Sequence, residues 1–296
     1  MTGALMLSLN VTVCIFCSNE EARLERTVRN FQGKFKILVV DNFSQDRTRE
    51  VAQSLGLGVF SIKNPNFIET PEVMDPLWDQ LSTDYMLIAS CSEYIPLKML
   101  NKYAAIANGN LYDVVRVFRE SITAGLAIPI SGNQTHNAPG ELRFYKRASV
   151  DYTGNQVHGR GRPICSENRV LNLASDTNFK FYQFRDYDCS KTERNHANYN
   201  DALALQWYRS GVKFSWIRAI WGACKQFGNS YVRFGGWRFG MIGFIHCIYR
   251  FYMEMGVWFR VWEWQNAYDG ASVREKNNQA RMELERELSS SDKTND

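Results

Sequence analysis

A chain of 296 residues, 45% hydrophobic and 22% charged, is long enough to bury a real core and has the composition of a folded globular protein. Wholesale disorder, a collagen-like repeat and a multi-span membrane protein are excluded, and a formal charge of +4 sets up no field that demands nucleic acid. The outlier is aromatic content, 14%, with seven of the eight Trp placed after residue 206.

In chain order, Val11–Cys17 is a short apolar run that reads as a buried strand. A helical stretch follows, to about Phe31. Phe35–Val40 reads as a second buried strand, ending in the turn cluster Asp41-Asn42-Phe43-Ser44. Asp46 can cap a helix running to about Ser54. Gly58–Ile62 and Tyr85–Ala89 are further strands, the second preceded by a helical segment. Tyr112–Phe118 and Glu141–Lys146 complete the set. Strands alternating with helices predict an α/β fold, with a mostly parallel sheet flanked by helices. Ligands of such sheets bind beyond the carboxyl ends of the strands, where Ser18, Asn19, Glu20, Asp41, Asn42 and Ser44 fall.

From about Asp186 the pattern becomes helical: Lys191–Ser210, Phe214–Phe227, a break at Gly235-Gly236, a long aromatic helix Trp237–Trp264, and a charged helix around Glu275–Leu288. The expected organisation is a nucleotide-binding-type domain over 1–185, a helical, aromatic and basic region over 186–264, and a charged helix with a tail over 265–296. Between Leu205 and Trp262 stand eight Lys/Arg and one acid. An amphipathic 237–264 helix of this kind suits either the surface of an anionic membrane or packing on the rest of the chain. Met1 to Asn10 carries no basic segment followed by a cleavage site. The seven Cys are therefore expected as reduced thiols of a cytoplasmic protein. Cys14 and Cys17 form a CxxC inside an apolar run, which reads as buried strand thiols rather than a metal or redox pair.

Three strings carry a resemblance: CIFCSNEEARLERTV, ILVVDNFSQDRTREVAQSLG and STDYMLIASCSEYIP. Their order is similar to the opening of family 2 glycosyltransferases of the GT-A fold, and in particular to lipopolysaccharide-core β-glucosyltransferases. LRFYKR at Leu142–Arg147, VHG at Val157–Gly159 and the YVRFGGWRFGMIGF stretch extend the likeness. The resemblance implies inverting transfer of a sugar from a nucleotide donor, a UDP-hexose, to a glycan or glycolipid hydroxyl. The setting would be polysaccharide or lipopolysaccharide synthesis on the cytoplasmic face of a membrane. It assigns nucleotide-sugar contacts to Ser18, Asn19, Glu20, Asp41, Asn42, Ser44, Ser90, Ser92, Arg143 and Arg160. The plainer roles of Asn19 and Asp46 as helix caps and of Asn42 to Ser44 as turn residues stand beside it.

The pattern breaks where the family's DxD motif holds a divalent cation. Those two Asp positions are Ser90 and Ser92 here, and only Glu93 keeps its acid. The VHE-like string also loses its acid, with Gly159 after His158. A neutral hydroxyl is a poor ligand for Mg²⁺ or Mn²⁺. Three readings result. In the first, protein cations (Arg143, Arg147, Arg160, Arg162) neutralise the leaving diphosphate without metal. In the second, Glu93 and His158 still bind a metal. In the third, the chain is an inactive relative that binds sugars or scaffolds a partner at a membrane surface. Glu93, Glu120, Glu141 and His158 are the candidates for the base that takes the acceptor proton.

Overall fold

The computed structural model describes residues 8–64, 68–127, 140–155, 161–176, 178–185 and 189–292. The chain divides into two compact units, Met1–Tyr187 and Asp188–Asp296.

The first unit is a mixed α/β sheet flanked by helices. Its first half contains β1 (Val11–Cys17), α1 (Leu24–Phe31), β2 (Lys36–Asp41), α2 (Thr48–Ser54), β3 (Gly58–Ser61), α3 (Pro71–Asp79) and β4 (Tyr85–Ser90). Its second half contains β5 (Glu93–Tyr94), α4 (Leu97–Gly109), β6 (Val114–Thr123), β7 (Leu126–Ala127), β8 (Glu141–Lys146), β9 (Val150–Asp151), β10 (Arg162–Pro163), β11 (Val170–Asn172) and β12 (Lys180–Arg185). The main strand order is β3-β2-β1-β4-β8-β6-β12-β5. Pairing is parallel from β3 through β4. Beyond β4 it is mixed: β8 runs antiparallel to both β4 and β6, β12 is parallel to β6, and β5 is antiparallel to β12. The expectation of a mostly parallel sheet thus holds for the first four strands. It gives way where β8, alternating in sequence, returns antiparallel between β4 and β6.

Burial follows from the pattern. Six of the seven residues of β1 are buried, because a parallel strand covered on both faces needs apolar side chains at every position. Val11, Val13, Ile15 and Cys17 join one core with Leu24, Val28 and Phe31 of α1 and Met99, Leu100 and Tyr103 of α4. Cys14 points the other way, into a second core with Val73, Met74, Leu77 and Trp78 of α3. The two cysteines of the CxxC therefore lie on opposite faces of the sheet, as a strand's alternation requires. Helix α4 is absent from the sequence expectations, although Met99, Leu100, Tyr103, Ala104 and Ala107 recur at helical spacing; it stops at Asn110, which is left-handed (φ 47°). Strand β12 is absent too, because its pairing with β6 and β5 is a property of the tertiary structure.

The second unit contains α5 (Cys189–Arg209), α6 (Trp216–Gly228), α7 (Gly240–Gln265) and α8 (Gly270–Asp292). The expected Trp237–Trp264 helix starts later, since Gly236–Phe239 forms a 3₁₀ turn and Gly240 has φ 58°. Gly243, in the first turn of α7, abuts the carbonyl of Gly236 so closely that a Cβ would collide with it. The Ser215 hydroxyl caps α6 by accepting from Arg218 N at 3.4 Å. Gln265 accepts from Phe214 N at 3.0 Å and donates to the Val212 carbonyl at 2.7 Å, fastening the end of α7 to the α5–α6 loop. Met255 and Trp258 are buried against Ala219 and Ala223 of α6. The aromatic side read for the 237–264 segment is therefore split: part is core, and Phe244, Ile248 and Phe259 remain exposed.

One stabilising pair has a readable pH signature. Arg169 donates to Asp113 at 2.6 Å, and this bond holds the Asp113 carboxyl below its ordinary value. A carboxylate whose folded-state pKa is depressed contributes stability in full above its unfolded value of ~3.9, and that contribution is lost as pH falls through the folded-state value. Asp113→Asn should lower the urea midpoint at neutral pH. The gap to wild type should shrink as pH is taken well below ~3.9. A pH-independent gap would show that the pair's charge contributes nothing.

Candidate functional site

The chain leaves β1, builds β2 and β3 on one side of it, then crosses to β4 on the other. In open α/β sheets a reversal of this kind leaves a crevice at the carboxyl ends of the strands on either side, here β1 and β4. Three strand ends are level there: Cys17 pairs with Asp41 across β1 and β2, and Phe16 with Ser90 across β1 and β4. Ser18, Asn19 and Glu20 follow β1, Asn42 and Ser44 follow β2, and Ser92 follows β4. The structure therefore collects these residues at one end of the sheet.

The first two loops hold each other rather than standing open. Both oxygens of the fully buried Asp41 accept from Ser44 N at 3.2 Å. Asn19 takes a left-handed φ of 57°; its N–H donates to Ser44 Oγ at 2.9 Å and its Oδ1 accepts from Gln45 N at 2.8 Å. The Asn42 side chain brackets the backbone of Asn64, accepting from its N–H at 2.8 Å and donating to its carbonyl at 2.7 Å. The Glu20 carboxylate is gripped by Arg23 through two 2.7 Å bonds, and the Glu20 N–H donates to Thr48 Oγ1 at 2.7 Å. Asp46 accepts from Thr48 N at the start of α2 and from Glu21 N, both at 3.0 Å, so it joins the two loops as well as meeting α2. Arg49 lies with its Nε 3.8 Å from Asp41 and half of its side chain exposed. Asn64 carried no sequence signal for this place and arrives through a tertiary contact; Thr48 and Arg49 lie in the ILVVDNFSQDRTREVAQSLG string, but their contacts with Glu20 and Asp41 are set by the fold.

At the end of β4, the Ser90 and Ser92 hydroxyls bond to one another at 3.0 Å. Glu93 does not face them as an open ligand. One of its oxygens accepts from Ser90 N at 2.9 Å, and the other accepts from Arg143 at 2.8 Å. Arg143 in turn donates to Glu141 at 2.9 Å, and Glu141 pairs with Arg119 at 2.7 Å. The Arg143 and Glu93 side chains are 4% and 2% exposed, so desolvation opposes their charges. Glu93 and Glu141 more than offset this for Arg143 and raise its pKa above the ordinary value. Arg143 is thereby drawn into the interior instead of being presented to a diphosphate. This donor set does not fit a hard cation: two neutral hydroxyls satisfy each other, and the one carboxylate is engaged by a guanidinium and a backbone amide. Among the described residues no cluster of three or more His, Cys, Asp or Glu could hold a metal ion.

Glu120 and Glu93 are not brought together. Glu120 is level with Tyr182, which is level with Tyr94, whereas Glu93 is level with Gln183. Adjacent positions in a strand point to opposite faces, so the two carboxylates lie on opposite sides of the sheet. Glu120 pairs with Lys180 at 2.5 Å. Arg147 is a correction: the antiparallel run of β8 carries it to the amino end of β4, where it lies over the Trp78 ring and 3.7 Å from Asp79. Arg162 is exposed and pairs with Asp151 at 2.6 Å. His158 and Arg160 lie outside the described residues. Cys17 and Cys91 meet at 3.5 Å between β1 and β4, and their mutual hydrogen bond, with burial, raises the Cys17 pKa; both behave as core thiols.

Residues 12–68 match the family model described as glycosyl transferase family 2. The match takes in β1, β2, β3 and the two interlocked loops. No curated protein matches the chain. Among solved structures, S. aureus TarS is 12% identical with a TM-score of 0.43; 86% of this chain aligns, spanning 55% of TarS. Its 1–349 fragment with UDP-GlcNAc is 12% identical with a TM-score of 0.43, over 88% of this chain and 92% of that one. The glucosyl-3-phosphoglycerate synthase of Mycobacterium tuberculosis with Mn²⁺ and UDP-glucose is 13% identical with a TM-score of 0.42, over 70% and 81%.

The buried pairs give a direct test. Removing one partner of a buried ion pair leaves an uncompensated charge and costs about 3–5 kcal/mol, whereas replacing both with apolar groups costs far less. Arg143→Met should lower unfolding free energy by about that amount, with Glu93→Leu/Arg143→Met recovering part of it. Urea unfolding followed by Trp fluorescence would measure both. A double variant no better than Arg143→Met would place the cost elsewhere.

Proposed function

We propose that this chain is a glycosyltransferase that moves a hexose from a UDP donor to a hydroxyl of a glycan or glycolipid, inverting the anomeric centre. The observation that carries the reading is the family 2 match over residues 12–68, which covers the two loops that wall the crevice at the switch point. In this reading the nucleoside sits against the Asp41–Ser44 turn and the Asn19–Glu20 loop. Asp41 is the proposed acceptor for the nucleoside, its carboxylate oriented by Ser44 N. The diphosphate and sugar lie toward Ser90 and Ser92.

The displacement itself is simple. The acceptor oxygen attacks the anomeric carbon as the bond to the diphosphate oxygen breaks, and the acceptor proton passes to a base. Glu93, held by Arg143 and Ser90 N, positions the Ser90–Ser92 turn rather than taking that proton. His158 and Glu120 remain the candidate bases. Arg160, in the same Gly-flanked basic segment as His158, is the proposed counter-charge for the leaving diphosphate. The reaction is proposed to proceed without a divalent metal, on the chemistry of the Ser90, Ser92 and Glu93 set. That same set favours a second reading, an inactive transferase relative that binds a nucleotide sugar at a membrane surface without turnover.

Calorimetric titration with UDP-, GDP-, CMP- and dTDP-sugars, with Mn²⁺ or Mg²⁺ and again with EDTA, separates these readings when combined with an assay for released UDP. Binding of a UDP-sugar that survives EDTA, with release of UDP on adding a glycan acceptor, is the expected result. Binding without release points to the inactive relative, and no binding under any condition refutes the donor site. Asp41→Asn keeps the turn's acceptor while removing the charge, so it should weaken UDP-sugar affinity about tenfold with little change in unfolding. Unchanged affinity would move the nucleoside away from Asp41.

A further inference from the structure

The second unit carries an apolar surface that its own core does not use. Helix α6 is built inside out: its inward side chains are the small, fully buried Ala219 and Ala223, while Trp216, Ile217, Ile220 and Trp221 stand 57%, 83%, 51% and 70% exposed. At ~100° per residue these four span about 140° of one side. An amphipathic helix of a folded domain normally turns its bulk inward and its polar residues outward.

Helix α7 extends the surface. Met241, Ile248, Tyr252 and Phe259 form an exposed stripe along it, and the Trp216 ring lies 6.0 Å from that of Phe259, so the two faces are continuous. The charge around them is mainly positive, with Glu254 turned toward Gly222 of α6. From Ala202 to Met253 there are seven Lys/Arg and no Asp or Glu. Lys213, Arg218, Lys225, Arg233 and Arg238 are all exposed. None of these five forms an ion pair among the described residues. Among the same residues, no helix is long and apolar enough to cross a membrane.

We propose that α6, with the adjoining stripe of α7, is a docking face for an anionic lipid bilayer. Helix α6 lies in the plane of the interface, with Ile217 and Trp221 at the level of the acyl boundary and the basic residues on lipid phosphates. Tryptophan suits that boundary because its ring is apolar and its N–H is wet. A second copy of the chain fits less well, since an isologous contact would set this basic surface against itself. The proposal stands independently of sugar transfer. It places the lipid-facing residues mainly on α6 rather than on the aromatic helix singled out in the sequence.

The test uses the full chain and vesicles of phosphatidylcholine alone or mixed with phosphatidylglycerol. Co-sedimentation and the Trp emission maximum are read at low and high salt, with light scattering for oligomeric state. Expected are binding to the anionic vesicles only, weakening with salt, and a blue shift on binding. Ile217→Ser/Trp221→Ser and Arg218→Glu/Lys225→Glu should each weaken binding about tenfold or more while the circular dichroism and melting of the chain are kept. Failure of the wild type to bind either vesicle overturns the proposal, as does unaltered binding of both variants. An oligomer in solution that Ile217→Ser/Trp221→Ser dissociates would assign the face to a second copy and overturn it as well.

Discussion

Strand β1 is the constraint on which the first unit depends. Its backbone is paired on both edges, by β2 and β4 in parallel, and its side chains alternate into two separate cores. Parallel neighbours cannot be joined by a tight turn, so each must be reached by a helical crossover. The crossovers through α1 and α3 put helices on opposite faces and leave the carboxyl ends of β1 and β4 facing a crevice. The location of the candidate site is a consequence of burying this one strand.

Around that crevice, most of the polar residues do structural work first. Asp41, Ser44, Asn19 and Gln45 complete one another's hydrogen bonds, which holds two loops in a single arrangement, and Asn42 fastens the second of them to Asn64 after β3. A rigid, preorganised loop pair is what a small-ligand site needs, because ordering it on binding would cost affinity. The Glu93–Arg143–Glu141–Arg119 chain has a similar place beneath the β4 turn. It satisfies buried charges that would otherwise be costly and, in doing so, withdraws Glu93, the one acid of the turn after β4, from ligand chemistry.

The second unit solves a different problem. Helices α5 and α6 both pack on α7, through alanine and glycine on α6 and aromatic residues on α7 and α5, with Trp207 and Trp258 edge to face at 5.0 Å. Small residues on α6 allow close approach, and the large apolar ones are displaced to the outside. Packing between helices therefore consumes only part of the aromatic content concentrated after residue 206.

The sequence by itself determined the elements whose patterns are local. The apolar runs at Val11–Cys17 and Glu141–Lys146, and the helix after Asp46, are written in neighbouring residues. So is the cluster of polar side chains at the ends of β1 and β2, because a turn after a buried strand must carry them. What only the tertiary structure decided depends on partners far apart in the chain. The antiparallel insertion of β8 carries Arg143 inward and Arg147 to the opposite end of the sheet. The register of β5, β6 and β12 separates Glu93 from Glu120 by a whole sheet face. The choice of which side of α6 meets α7 leaves its tryptophans in solvent. A helical wheel shows that a face exists but not what covers it, since burial is a property of the packed neighbours and not of the helix alone.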